Sequence, residues 1–137
     1  MEYVDLQVNG FAGVDFSAEG LTPENIELVA QRLAGAGTAK FLPTVITSPP
    51  DVYRQVLPVL GKACAGNPHV KGIHLEGPFI SPQDGAVGVH PKHCVQTPSI
   101  DLFKQMQEQS AFQLGQEVLL MVIQTALNLA LPIQNQV

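Results

Sequence analysis

The stretch His74-Leu75-Glu76-Gly77-Pro78-Phe79-Ile80-Ser81 decides how this chain is read. Val70 to Glu76 carries apolar Val70, Ile73 and Leu75 and closes on a Gly-Pro breaker, so it reads as a strand with a carboxylate at its carboxyl end. In parallel α/β sheets the chemistry gathers at the carboxyl ends of the strands. Glu76 is therefore the expected place for a catalytic or metal-binding group.

Working outward from Glu76, the preceding segments alternate in type. Ser48-Pro49-Pro50-Asp51 opens a helix with Val52, Val56, Leu57 and Leu60 as its apolar face, and Gly66-Asn67-Pro68 ends it. Phe41 to Thr47 is a strand in which Pro43 either bends the backbone or sits where no ladder donor is needed. Further upstream, Thr22 is an N-cap and Pro23 stands at the first helical position. Glu24 adds an acid to the first turn, and Ile26, Val29, Ala30 and Leu33 follow at helical spacing, with the end near Gly35 or Gly37. Val4 to Gly10 alternates as a first strand and runs into a flexible Gly10-Phe11-Ala12-Gly13 turn. Strand, helix, strand, helix, strand with short connections implies βαβ units with right-handed crossovers. The fold class is α/β with a parallel sheet, and the loops after the strands form one functional face.

Composition narrows the classes. With 137 residues and 45% hydrophobic content, the chain suits one globular domain with a core and not a disordered segment. Seven basic against twelve acidic residues give a net charge of −5, and the basic residues are scattered singly, so nucleic acid is not an expected partner. The two cysteines, Cys64 and Cys94, form no zinc-type spacing and read as reduced thiols. The N-terminus lacks a basic region followed by an apolar run, so a cytoplasmic location is expected.

Three polar sites need weighing. Gln7 and Asn9 stand at i and i+2 on the first strand and share a face, where two amides line either a cavity or an ordinary solvated surface. His74 and Glu76 share a face by the same parity. They are either a buried ion pair or part of a site, because an acid ending an apolar strand is costly unless a cation compensates it. The third site is the loop Gly85 to Cys94, whose glycines suit a substrate loop. Its His90 and His93 lack a second cluster to complete four metal ligands, so on spacing alone they read as ordinary loop histidines.

Four segments together carry a family resemblance: Asp5 to Phe16, Gly37 to Thr44, Gly72 to Phe79, and Gly88-Val89-His90-Pro91. In order and spacing they resemble the N-acetylglucosamine-6-phosphate deacetylases, metal-dependent amidohydrolases, over about residues 3 to 108. The resemblance implies a partial TIM-type (β/α)8 barrel covering about the first three βα units. It implies that Glu76 is the metal-binding glutamate and that Val89 and His90 contact the amino-sugar phosphate. Many amidohydrolases carry His-x-His on the first strand, where this chain has Gln7-x-Asn9, so one divalent metal ion, Zn²⁺ or another transition metal, is implied. Gln7, Asn9 and His74 are the weaker candidates to line the site.

The implied reaction is hydrolysis of the N-acetyl amide of N-acetylglucosamine 6-phosphate to glucosamine 6-phosphate and acetate, in amino-sugar catabolism. In it a metal lowers the pKa of a bound water towards about 7. The family's remaining metal ligands, two histidines, and its catalytic Asp lie on later strands and have no counterpart here, so no catalytic residue is assigned to this chain. A whole barrel takes about 250 residues. The reading therefore divides the chain into residues 1–109, the first part of the barrel, and a divergent tail, 110–137.

In the tail the apolar run from Val118 to Leu131 is too short and too polar to span a membrane. It reads as a helix up to Pro132 that covers part of the exposed sheet. The resemblance implies a homodimer for the full-length enzyme. The alternative is a non-catalytic truncated or spliced product that at most associates with full-length subunits. A small doubly wound binding domain is the third reading; it calls for a GxGxxG loop that Gly10-Phe11-Ala12-Gly13 does not supply.

Overall fold

The computed structural model describes residues 2–110. Strand β1 (Tyr3–Val8) leads into a small hairpin, β2 (Gly10–Phe11) and β3 (Val14–Asp15). Helix α1 (Pro23–Gly35), strand β4 (Thr38–Ile46), helix α2 (Pro50–Gly66), strand β5 (His74–Glu76) and helix α3 (Ile100–Ser110) follow. The three longer-range strands form one sheet in the order β1-β4-β5, and both pairings are parallel. This is the α/β architecture with a parallel sheet that the alternation of segments predicts.

Helix α1 starts as its sequence dictates. At α1 the Thr22 hydroxyl accepts from the Asn25 N–H at 3.3 Å, and the Asn25 side-chain oxygen accepts from the Thr22 N–H at 3.1 Å. This capping box satisfies two backbone donors reciprocally, and Pro23 needs none. Ile26, Val29, Ala30 and Leu33 are the buried face of α1, as their spacing predicts. Helix α2 runs through Pro58 and buries Val52, Tyr53, Val56, Leu57 and Leu60. These two faces and the buried β4 side chains Phe41 and Val45 form one core, which Met106 of α3 joins. The Phe16 ring stacks on Phe41 with centroids 6.2 Å apart, tying the segment after the hairpin to the central strand.

Three details differ from the sequence reading. The strand predicted over Val70 to Glu76 is regular only from His74 to Glu76. Val70 meets Phe41 in an isolated bridge, and the ladder lapses until His74; Gly72, inside that gap, has no side chain to pack against a neighbour. Strand β4 starts earlier than predicted, at Thr38, because Tyr3 of β1 pairs there. The Gly10 to Gly13 turn is the tip of a hairpin, with Ala12 at φ 53 and Gly13 at φ 82.

Pro43 lies in the central strand without ending it. The β1 register passes from Asp5↔Phe41 to Val8↔Pro43, so three steps on β1 oppose two on β4 at the residue that has no N–H to donate. The segment from 111 onward, where the tail and its predicted helix fall, lies outside the described residues. Among the described residues no helix is long and apolar enough to cross a membrane.

Candidate functional site

Parallel pairing puts the carboxyl ends of β1, β4 and β5 on one edge of the sheet, and the candidate residues collect there. Glu76 is the last residue of β5, paired with Ile46 at the end of β4. Asn9 follows directly on β1, and its side-chain amide donates to Glu76 Oε2 at 2.9 Å. On the other carboxylate oxygen, His90 Nε2 stands 3.6 Å from Glu76 Oε1. Both side chains of this second pair are largely shielded from solvent. His90 Nδ1 is buried without a hydrogen-bond partner.

The backbone under Glu76 is fixed from β4. The Thr47 hydroxyl donates to the Glu76 carbonyl at 3.1 Å, and Thr47 is fully buried. Gly77 follows with φ 102, a conformation that favours glycine, and a Cβ there would collide with Thr47 Oγ1. The glycine is thus required twice, by its backbone and by the hydroxyl against it. Sequence reading singled out Gly77 as a breaker and passed over Thr47; its only signal was its place at the end of a strand before Ser48-Pro49.

The other candidates separate. Gln7 is exposed, and its backbone N–H donates to Asp5 Oδ1 at 3.0 Å, so the amide pair predicted on β1 reduces to Asn9 at the Glu76 carboxylate. Val89 is 91% exposed, next to His90 in the chain but turned out to solvent. His74 is buried, with Nδ1 3.4 Å from Thr44 Oγ1. Its burial holds the imidazole below its ordinary pKa, opposed by the Glu76 charge and the Leu6 backbone. His93 is exposed and Cys94 buried on a short 3₁₀ turn, Lys92–Cys94.

Among the described residues no three of His, Cys, Asp and Glu come together as a metal cluster. A catalytic Zn²⁺ takes three protein ligands. The Asn9 amide presents N–H donors to the carboxylate and not a lone pair. Glu76 and His90 leave the set short by at least one ligand, so the described residues do not fit a resident metal by themselves.

No protein-family model matches the chain. It is 47% identical over 94 residues to the N-acetylglucosamine-6-phosphate deacetylase of Rattus norvegicus, a match covering 66% of this chain and 22% of that enzyme. The Homo sapiens enzyme of the same name is 41% identical over 108 residues, covering 76% of this chain and 26% of the relative. A solved N-acetylglucosamine-6-phosphate deacetylase from Pasteurella multocida superposes with a TM-score of 0.69 at 26% identity, covering 81% of this chain and 29% of that one. The chain spans about a quarter of the length of the curated relatives it matches. In sequence and in fold, the chain is similar to part of N-acetylglucosamine-6-phosphate deacetylase, a hydrolase.

Proposed function

We propose that this chain supplies the first part of a TIM-type amidohydrolase barrel whose whole site hydrolyses the N-acetyl amide of N-acetylglucosamine 6-phosphate. The observation that carries this reading is the meeting of Asn9, Glu76 and His90 at the carboxyl ends of β1 and β5, in segments similar to the deacetylases. Glu76 is one anionic ligand for a divalent transition metal whose other ligands lie outside this chain. Asn9 orients that carboxylate by donating to Oε2. His90 closes the loop over the strand ends, and Val89 beside it, exposed as it is, is available to an amino-sugar phosphate. The compartment proposed for this chemistry is the cytoplasm, and the full-length enzyme is proposed to be a homodimer.

With the metal set incomplete, no catalytic step is assigned to residues of this chain, and the chain alone is inactive. The test uses the purified chain with N-acetylglucosamine 6-phosphate and Zn²⁺ or Co²⁺, reading acetate release and metal content after gel filtration. No acetate above the buffer control and less than one metal per chain are expected. Acetate release that tracks one bound metal per chain would overturn this. For Glu76 itself, weak Co²⁺ binding titrated spectroscopically at high metal concentration is expected to weaken in Glu76→Gln, and a titration curve identical in the two proteins refutes the ligand assignment.

A further inference from the structure

We propose that Ser17 is a positioning residue of the candidate site, holding the Asn9 amide and the Glu76 carboxylate in place against each other. This role rests on the reading of Glu76 as a metal ligand for its use, whereas the contacts that create it stand without that reading.

A closed circuit of contacts runs around the strand ends. The Asn9 side chain donates to Glu76 Oε2 at 2.9 Å, and the Asn9 carbonyl accepts from the Phe16 N–H at 3.1 Å. Phe16 is fully buried and stacked on Phe41, so the segment after the hairpin is anchored in the core. Ser17 follows, and its Oγ accepts from the Ile46 N–H at 3.0 Å. Ile46 pairs with Glu76, which returns the circuit to its start.

Both ends of the Ser17–Ile46 link are themselves fixed. The Ser17 N–H donates to Asp15 Oδ1 at 2.7 Å. The Ile46 carbonyl accepts from the hydroxyls of Ser48, at 2.9 Å, and Tyr53, at 3.3 Å, both buried residues. The β1–β4 ladder ends at Val8↔Pro43, short of Ile46, and past that point the Ser17 hydroxyl ties the segment after Asn9 to the end of β4. A hydroxyl suits this task. It accepts a backbone N–H without adding a second negative charge to the edge that carries Glu76, where a like charge would oppose ionisation. With Asn9 held on Oε2, the carboxylate keeps one orientation, and an oriented carboxylate binds a metal more tightly than a free one.

The experiment uses the full chain, labelled in nitrogen for NMR, and reads the two side-chain amide proton signals of Asn9, identified by their loss in Asn9→Ala. One of these protons is bonded to the Glu76 carboxylate, which separates the two in chemical shift. Ser17→Ala should shrink that separation and weaken Co²⁺ binding by about 2- to 10-fold, the range that one neutral hydrogen bond controls. Ser17→Thr keeps the acceptor and should retain both readouts. Ser99→Ala is the control: the Ser99 hydroxyl accepts from the Leu102 N–H at 3.2 Å at the start of α3, and its removal should move neither readout. An unchanged Asn9 separation in Ser17→Ala overturns the inference, and so does an equal change in Ser99→Ala, which would mark general loosening. Should Ser17→Ala fail to fold, Ser17→Cys keeps the side chain's shape with a weaker acceptor, and no narrowing of the separation there overturns the inference equally. The two readings fail separately. If Co²⁺ binding is indifferent to Glu76→Gln while the Asn9 separation still responds to Ser17→Ala, the ligand assignment falls and the positioning role stands.

Discussion

Strands β4 and β1 carry comparable runs of apolar side chains and meet opposite fates. In β4, Phe41, Leu42, Thr44 and Val45 are buried, because the strand is paired on both sides and its neighbouring helices α1 and α2 contribute to the same core. In β1, Tyr3, Val4 and Leu6 remain 59%, 58% and 52% exposed, although the strand pairs with β4 along its length. Alternation in a sequence states which side chains fit a half-buried surface. Position in the sheet decides which of them are covered, and β1 is an edge among the described residues. Among the described residues the side chains around β4 are covered, whereas β1 still presents Tyr3, Val4 and Leu6 to solvent.

The strongest test of that contrast removes a side chain from the centre. Phe41→Ala deletes a fully buried ring stacked on Phe16 and leaves a cavity in the core that β4 shares with α1 and α2. A loss of about 3–5 kcal/mol is expected in urea unfolding of the full chain. A loss below about 1 kcal/mol would show that the β4 core is much looser than its burial indicates.

Next in size is the support beneath Glu76. Gly77→Ala puts a Cβ into Thr47 Oγ1 and an alanine at φ 102, at an expected cost of about 2–4 kcal/mol. Combining it with Thr47→Ala should recover the steric part and leave the backbone part, so the two losses should fall short of additive. Strict additivity would mean that the glycine and the hydroxyl do not constrain each other.

How far the sequence displayed these features depended on whether their cause was local. The α1 cap was legible because Thr22, Pro23 and Asn25 act within one turn, and the burial of Ile26, Val29 and Leu33 followed from helical spacing. The parallel sheet was legible from the order of its segments. The site was legible in part: Glu76 at a strand end could be placed from Gly77-Pro78, but its partners Asn9 and His90 lie 67 residues upstream and 14 residues downstream, and periodicity does not report such distances. The break before His74 was not legible, since it depends on which neighbours the strand acquires.

A smaller effect is expected at the cap. Thr22→Ala removes the acceptor for the Asn25 N–H and should cost about 1 kcal/mol, whereas Thr22→Ser should cost only a few tenths. Equal losses in the two variants would mean that the hydroxyl is not what holds the start of α1.

The smallest expected effect is the most informative about β1. Leu6 is about half exposed on an edge strand, so Leu6→Ala removes little buried area and should change stability by under about 0.5 kcal/mol. That value should not vary with protein concentration, because a folded chain whose β1 edge stays open gains nothing from its neighbours in solution. If instead Leu6→Ala costs several-fold more, and the cost grows as the protein is concentrated, then the wild-type edge is covered by another copy and the substitution uncovers it. Repeating the measurement with Leu6→Lys separates the two cases further. A lysine on an open edge is tolerated and discourages pairing, so stability should hold while any concentration dependence disappears. A large loss with Leu6→Lys at every concentration would place Leu6 in a covered core, and the difference between β1 and β4 would then rest on something other than their position in the sheet.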